Sequence, residues 1–160
     1  MSVVVAPGGG ELLTDEERRR VEVKADREDL AVTESRYAEG ESGPDRHFHR
    51  EHSDCFFVLE GRLVFELDGE RTEAGQGDFV AVPPLVVHTF RNEGPGDARF
   101  LNVHAPSKGF VQHLRDGGDP DQFDTFDPSA RRASARPEED VQDPRPELQD
   151  PESGPPVESP

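Results

Sequence analysis

The chain has 160 residues, only 31% of them apolar, and a formal net charge of −17. That length suits one domain with tails, and the excess of acid excludes nucleic acid and anionic membranes as natural partners, since neutralising phosphate takes Lys and Arg. A single cysteine, Cys55, rules out an internal disulfide, and no apolar run is long enough for a membrane span or a secretory signal, so the chain is expected to be cytoplasmic.

Residues 1–18 open on Val3-Val4-Val5 and a glycine run, which predicts a flexible N-terminal arm. Within it Leu12 and Leu13 suit a short edge strand, and Thr14 with Glu17 suits a cap for a helix starting near Asp15. Arg20 to Lys24 alternates polar and apolar residues, which predicts a half-buried strand. Leu30 to Ala38 reads as the next strand, and turn residues from Gly40 to Pro44 end it. Asp54 to Glu60 is a strong strand. Asp54, Phe56 and Val58 share one face; Cys55, Phe57 and Leu59 share the other. Both faces are largely apolar, so this strand is expected to be buried on both sides, with its outer face covered by a second layer or a partner subunit. Arg62 to Leu67 has a clean period of two that turns Leu63, Phe65 and Leu67 inward. Asp68-Gly69 predicts a two-residue hairpin. Further strands follow at 71–74, 79–82, 86–91 and 98–105. Turns every ten residues or so mark a sandwich or barrel.

The segment Gly109 to Arg115 places Phe110, Val111 and Leu114 at helical spacing, which predicts a short helix. Residues 117–160 carry twelve acids against four arginines and few apolar side chains. Residues 116–136 are expected to be irregular, with Phe123 and Phe126 able to dock on the barrel. Residues 137–160, rich in Pro and acid, are expected to be disordered because they bury too little to offset chain entropy.

The chemistry concentrates in His47-Phe48-His49. On extended chain, side chains two apart point the same way, so His47 and His49 can converge. Asp54 lies five residues beyond His49, and His88 lies on a later strand. Wrapped around one interior, these four make a three-histidine, one-carboxylate site suited to a divalent transition metal such as Fe, Mn, Ni, Cu or Zn. Asp54 is read either as a direct ligand or as a hydrogen-bond acceptor behind a ligating histidine.

The two stretches resemble the cupin family. His47, His49, Asp54 and Gly61 follow the spacing of its first motif, and Gly77, Pro83, His88 and Asn92 that of its second. The resemblance covers about residues 19–115. It implies an all-β fold, a single jelly-roll barrel, with a metal site, a small-molecule ligand and a homodimer. It departs from the family in three places. Asp54 stands where Glu is usual, Leu85 stands where Gly is usual, and Gly40 lies one residue further from His47 than is usual. Pro83-Pro84-Leu85 therefore predicts an altered turn, with Leu85 capping the barrel mouth.

Around that site, His104, Asn102 and Phe90 are the candidate substrate contacts, with His104 also a candidate proton carrier. His52 is read as a solvent-exposed residue at the mouth, and Cys55 as a small apolar filler facing away from the site. The resemblance implies a metal-dependent, dioxygenase-like oxidoreductase. The alternatives are a non-catalytic module binding a sugar or organic acid, and a metal-dependent isomerase or epimerase.

Overall fold

The computed structural model describes residues 4–118. Nine strands form two antiparallel sheets. They are β1 (Glu11–Asp15), β2 (Arg19–Asp26), β3 (Ala31–Tyr37), β4 (Ser53–Glu60), β5 (Arg62–Leu67), β6 (Glu70–Gly75), β7 (Phe79–Val82), β8 (His88–Arg91) and β9 (Ala98–Ala105). One helix, α1 (Phe110–Arg115), follows. The larger sheet runs β1-β2-β3-β9-β4-β7 and the smaller β6-β5-β8. The expected all-β barrel with a short C-terminal helix is what forms.

Alternation drives the packing. Phe56 and Val58 from β4, Leu63 and Phe65 from β5, and Phe100 from β9 meet between the sheets and are almost wholly excluded from water. Burying each such side chain is worth about 1.5–3 kcal/mol. Tyr37 stacks on Phe90 at 5.7 Å between ring centroids, and Phe56 lies 4.9 Å from Phe90. Gly43 lets this aromatic layer close, since a Cβ there would come within 2.6 Å of the Phe90 ring. A second, smaller cluster joins Val23 and Ala31 to Phe110 and Val111, which seats α1 on the β1-β2-β3 end of the larger sheet. The hairpin at Asp68-Gly69 forms as expected, with both residues at positive φ.

The structure corrects three expectations about the fold. No helix starts near Asp15; instead Glu11–Asp15 pairs with β2 as an edge strand, so this part of the predicted arm is ordered by backbone hydrogen bonding. Glu22, on the alternating strand, is buried rather than solvated. It pairs with Lys24 and Arg20 and accepts from the Gly10 amide at 2.7 Å. On β4 the outer side chains Cys55, Phe57 and Leu59 are half-buried within the single chain. Leu85 keeps the left-handed backbone that glycine would adopt, at φ 71, and its side chain is 50% exposed rather than capping the mouth. The expectations for residues 119–160 lie outside the described residues.

Candidate metal centre

The two sheets meet at this site. His47 and His88 form an antiparallel bridge, exchanging backbone hydrogen bonds of 3.1 Å and 2.8 Å. That bridge places the two imidazoles side by side, 4.3 Å between centroids. His49 follows at the same parity, 4.9 Å from His47. Its carbonyl accepts the Leu85 amide at 2.7 Å, so the turn before His88 also holds the His49 backbone. Asp54 stands on β4 opposite Val82 of β7 and His104 of β9. All four expected ligand residues are buried, and one donor atom from each lies within 4.8 Å of the others.

Backbone carbonyls set the tautomers. His47 Nδ1 lies 2.7 Å from the Asp45 carbonyl and His88 Nδ1 lies 2.9 Å from the Val86 carbonyl. A carbonyl only accepts, so each Nδ1 carries a proton and donates it. In the neutral rings the Nε2 lone pairs then turn inward. His88 Nε2 is 3.2 Å and His49 Nε2 3.7 Å from Asp54 Oδ2. An ion about 2.1 Å from each donor sets ligand-to-ligand edges of roughly 3.0–3.4 Å, so the pocket has the size and donor set for one. Fixing the other ring nitrogen on a carbonyl is the usual support of a ligating histidine.

The charges agree. Burial, with His88 alongside, pushes His47 down to about 4, so it is a neutral donor at pH 7. Burial also pushes His104 down to about 3 against the pull of Asp54. For Asp54 itself burial acts to raise the carboxyl, but His104, His49 and His88 outweigh it and hold the group well below the usual carboxylate range. An ionised Asp54 beside neutral His47 and His104 makes a centre that favours a cation.

A cavity of about 410 Å³ opens onto the cluster. His47, His49 and Asp54 form part of its wall, and Phe90, Asn102 and His104 form another part. Three of the four candidate ligands and all three candidate substrate contacts thus border one space. Phe90 is at the same time a core residue. Asn102 has its amide engaged. Its Nδ2 donates to Asp54 Oδ1, and its Oδ1 accepts from His104 Nε2 at 2.9 Å. His104 also stacks on Phe110 of α1 at 3.7 Å. Cys55 faces away from the centre, and burial with the Asp54 charge raises its thiol, which suits an inert side chain.

His52 is a correction. It is 1% exposed, not a solvent-facing mouth residue. Its Nε2 meets His104 Nδ1 at 3.0 Å, and its ring lies 4.0 Å from His49. The proximity of His49 and His52 in HFHREH was the available signal. His104 of β9, which packs against both, arrives from about fifty residues later. Arg19 was also missed. It lines the cavity, packs its guanidinium 4.6 Å over Tyr37, and pairs with Glu41 at 2.8 Å.

Two facing antiparallel sheets, with histidines and a carboxylate clustered at one end beside a cavity, define a small-barrel protein whose buried cluster could hold a metal ion. Residues 33–104 match the family described as Cupin domain, a span that includes all four candidate ligands. The chain is a small member of the cupin superfamily. It is 30% identical over 128 residues, 78% of its length, to quercetin 2,3-dioxygenase from Bacillus subtilis, and spans 37% of that protein. It spans less than half of each of the other curated relatives it matches. Among solved structures it resembles KdgF from Halomonas sp., with TM-score 0.59 and 21% identity, covering 66% of this chain and 94% of that one. That likeness shows the fold. It also resembles a sugar phosphate isomerase of the cupin superfamily from Silicibacter pomeroyi, with TM-score 0.50 and 29% identity, covering 54% of this chain and 59% of that one. Among the described residues no helix is long and apolar enough to cross a membrane.

Proposed function

We propose that this cupin binds one divalent transition metal through His47, His49, His88 and Asp54, and acts as a metal-dependent, dioxygenase-like oxidoreductase on a small molecule held in the adjoining cavity. The observation that carries the metal reading is the pair of backbone-locked tautomers, which leave the Nε2 lone pairs of His47 and His88 to serve as donors, with His88 Nε2 3.2 Å from the Asp54 carboxylate. The likeness to quercetin 2,3-dioxygenase over most of the chain supports the reaction class. A bound metal would polarise a substrate oxygen and orient it for oxidation. The protein supplies the rest. Phe90 and Tyr37 offer an aromatic wall for a planar ligand, and the buried cluster keeps bulk water off the reacting atoms. Oxygen uptake by metal-loaded protein, with quercetin as the probe flavonol, tests this. Uptake that requires both metal and flavonol and disappears in His49→Ala is the expected result. No uptake by a fully loaded protein that still binds the flavonol would leave a binding module in its place.

A second reading is an isomerase or epimerase, favoured by one observation. His104 sits 3.6 Å from Asp54 Oδ1 and borders the cavity, and burial keeps it neutral, as a base must be. Deuterium exchange into a sugar-phosphate probe, without oxygen uptake, would select this reading over the first.

A further inference from the structure

The first metal position uses four residues, yet two buried histidines stand beside it. His49, His52 and His104 converge, with one donor atom from each within 4.8 Å of the others. Their ring centroids lie 4.0, 4.9 and 5.7 Å apart. The trio of His47, His49 and His88 shows 4.3, 4.9 and 5.3 Å. The second trio therefore repeats the spacing of the first.

The tautomers favour it as well. His104 Nε2 faces Asn102 Oδ1, which can only accept, so Nδ1 is the lone-pair nitrogen of the neutral ring. That lone pair meets His52 Nε2 at 3.0 Å. Two nitrogens that far apart span the edge of a site whose ion lies about 2.1 Å from each. In the metal-free protein a proton on His52 Nε2 fills this contact. Metal binding requires that proton to sit on His52 Nδ1 instead, with no net change in proton count. Stacking on Phe110 fixes the His104 ring, and the hydrogen bond from Nε2 to Asn102 supports it as a backing acceptor supports a metal ligand. The cavity borders His49 and His104, which provides a path for the ion.

Resting on the metal-binding reading above, we propose that His49, His52 and His104 form a second metal position, alternative to the one at His47, His49, His88 and Asp54. The two positions share His49. A neutral imidazole has one lone pair, so His49 serves one ion at a time and the chain holds one metal, not two. The first position includes a carboxylate and suits harder ions such as Fe(II) or Mn(II). The second is all imidazole and suits Zn(II), Cu(II) or Ni(II).

Zn(II) binding to the full chain tests the proposal in three proteins: wild type, His47→Gln/His88→Gln, and that pair with His52→Gln added. Wild type should bind about one equivalent, the double variant should still bind about one with weaker affinity, and the triple variant should bind almost none. A double variant as empty as the triple, beside a wild type that binds, overturns the second position and leaves the first standing. A wild type that binds no metal overturns both. Two equivalents in wild type overturn the sharing of His49. Should the double variant fail to fold by circular dichroism, His88→Gln is compared with His88→Gln/His52→Gln. The added substitution should weaken Zn(II) binding at least about tenfold, as loss of a direct ligand exceeds loss of a backing contact. Equal affinity in that pair overturns the proposal.

Discussion

His88 Nε2 stands 3.2 Å from Asp54 Oδ2, across the junction of the two sheets. His88 already donates its Nδ1 proton to Val86. In the neutral ring the contact is therefore a lone pair facing a carboxylate oxygen, two acceptors that a cation between them would satisfy. A proton or a metal ion resolves it. The aspartate is one methylene shorter than the glutamate usual in the family, yet it reaches His88 because β4 and β8 bring the two together. Asp54→Asn keeps the shape and removes the charge. It should lower metal affinity by at least about tenfold, which isothermal titration would read. Unchanged affinity would place Asp54 outside the ligand set.

His49→Ala should empty the protein of metal, whereas His88→Ala should leave a residual fraction, because His49 alone belongs to both histidine trios. Elemental analysis of protein purified without added metal gives both numbers. Full occupancy in His49→Ala would refute metal binding at this cluster.

Metal-free protein should lose stability as the solution is acidified from neutrality. His47 and His104 are depressed from 6.5 to about 4 and about 3 by burial. Between those values and 6.5 the unfolded chain binds more protons than the folded one, so stability falls as pH falls. It is fully present above 6.5. Within the window each such histidine contributes up to about 1.4 kcal/mol per pH unit. Thermal midpoints of chelator-treated protein at pH 7 and pH 5 check this. A midpoint that does not fall would show that these rings are not held neutral.

Leu85 holds a left-handed backbone at φ 71 with an exposed side chain. A branched residue there carries strain of about 1–2 kcal/mol. Leu85→Gly relieves it, less the entropy that glycine adds to the unfolded chain. The thermal midpoint should rise by roughly 2–4 °C. A fall would mean that the Leu85 side chain contributes packing beyond what its exposure suggests.

Cys55, Phe57 and Leu59 lie half-buried on the outside of β4, and Phe79, paired with Phe57 across β7, is 61% exposed. We expect a second copy of the chain to cover this face as a two-fold dimer, since such a patch is rarely left to water. Light scattering coupled to size exclusion should give twice the 17.7 kDa of one chain. Phe57→Glu should return it to the mass of one chain, because an unpaired carboxylate at a buried interface costs several kcal/mol. A folded Phe57→Glu protein that still elutes as a dimer would place the interface elsewhere.

The amino-acid sequence by itself determined what depends on near neighbours. The period of two in Leu63 and Phe65, the Asp68-Gly69 hairpin and the i, i+2 spacing of His47 and His49 are local, and side-chain parity on an extended strand carries them directly to a face. The motif spacing extended that to His88 and Asp54. Tertiary structure decided what depends on distant neighbours. His52 follows His49 by three residues and reads as a polar loop, but His104 of β9 meets it and makes it part of the buried cluster. Asn102 lines the cavity as its sequence position suggested, but only the structure shows that it also joins Asp54 and His104. The edge strand that Leu12 and Leu13 suggested extends over Glu11 to Asp15 because β2 offers an edge to pair with. Burial and tautomer are properties of what surrounds a side chain, and in this barrel the surroundings arrive from sequence positions tens of residues away.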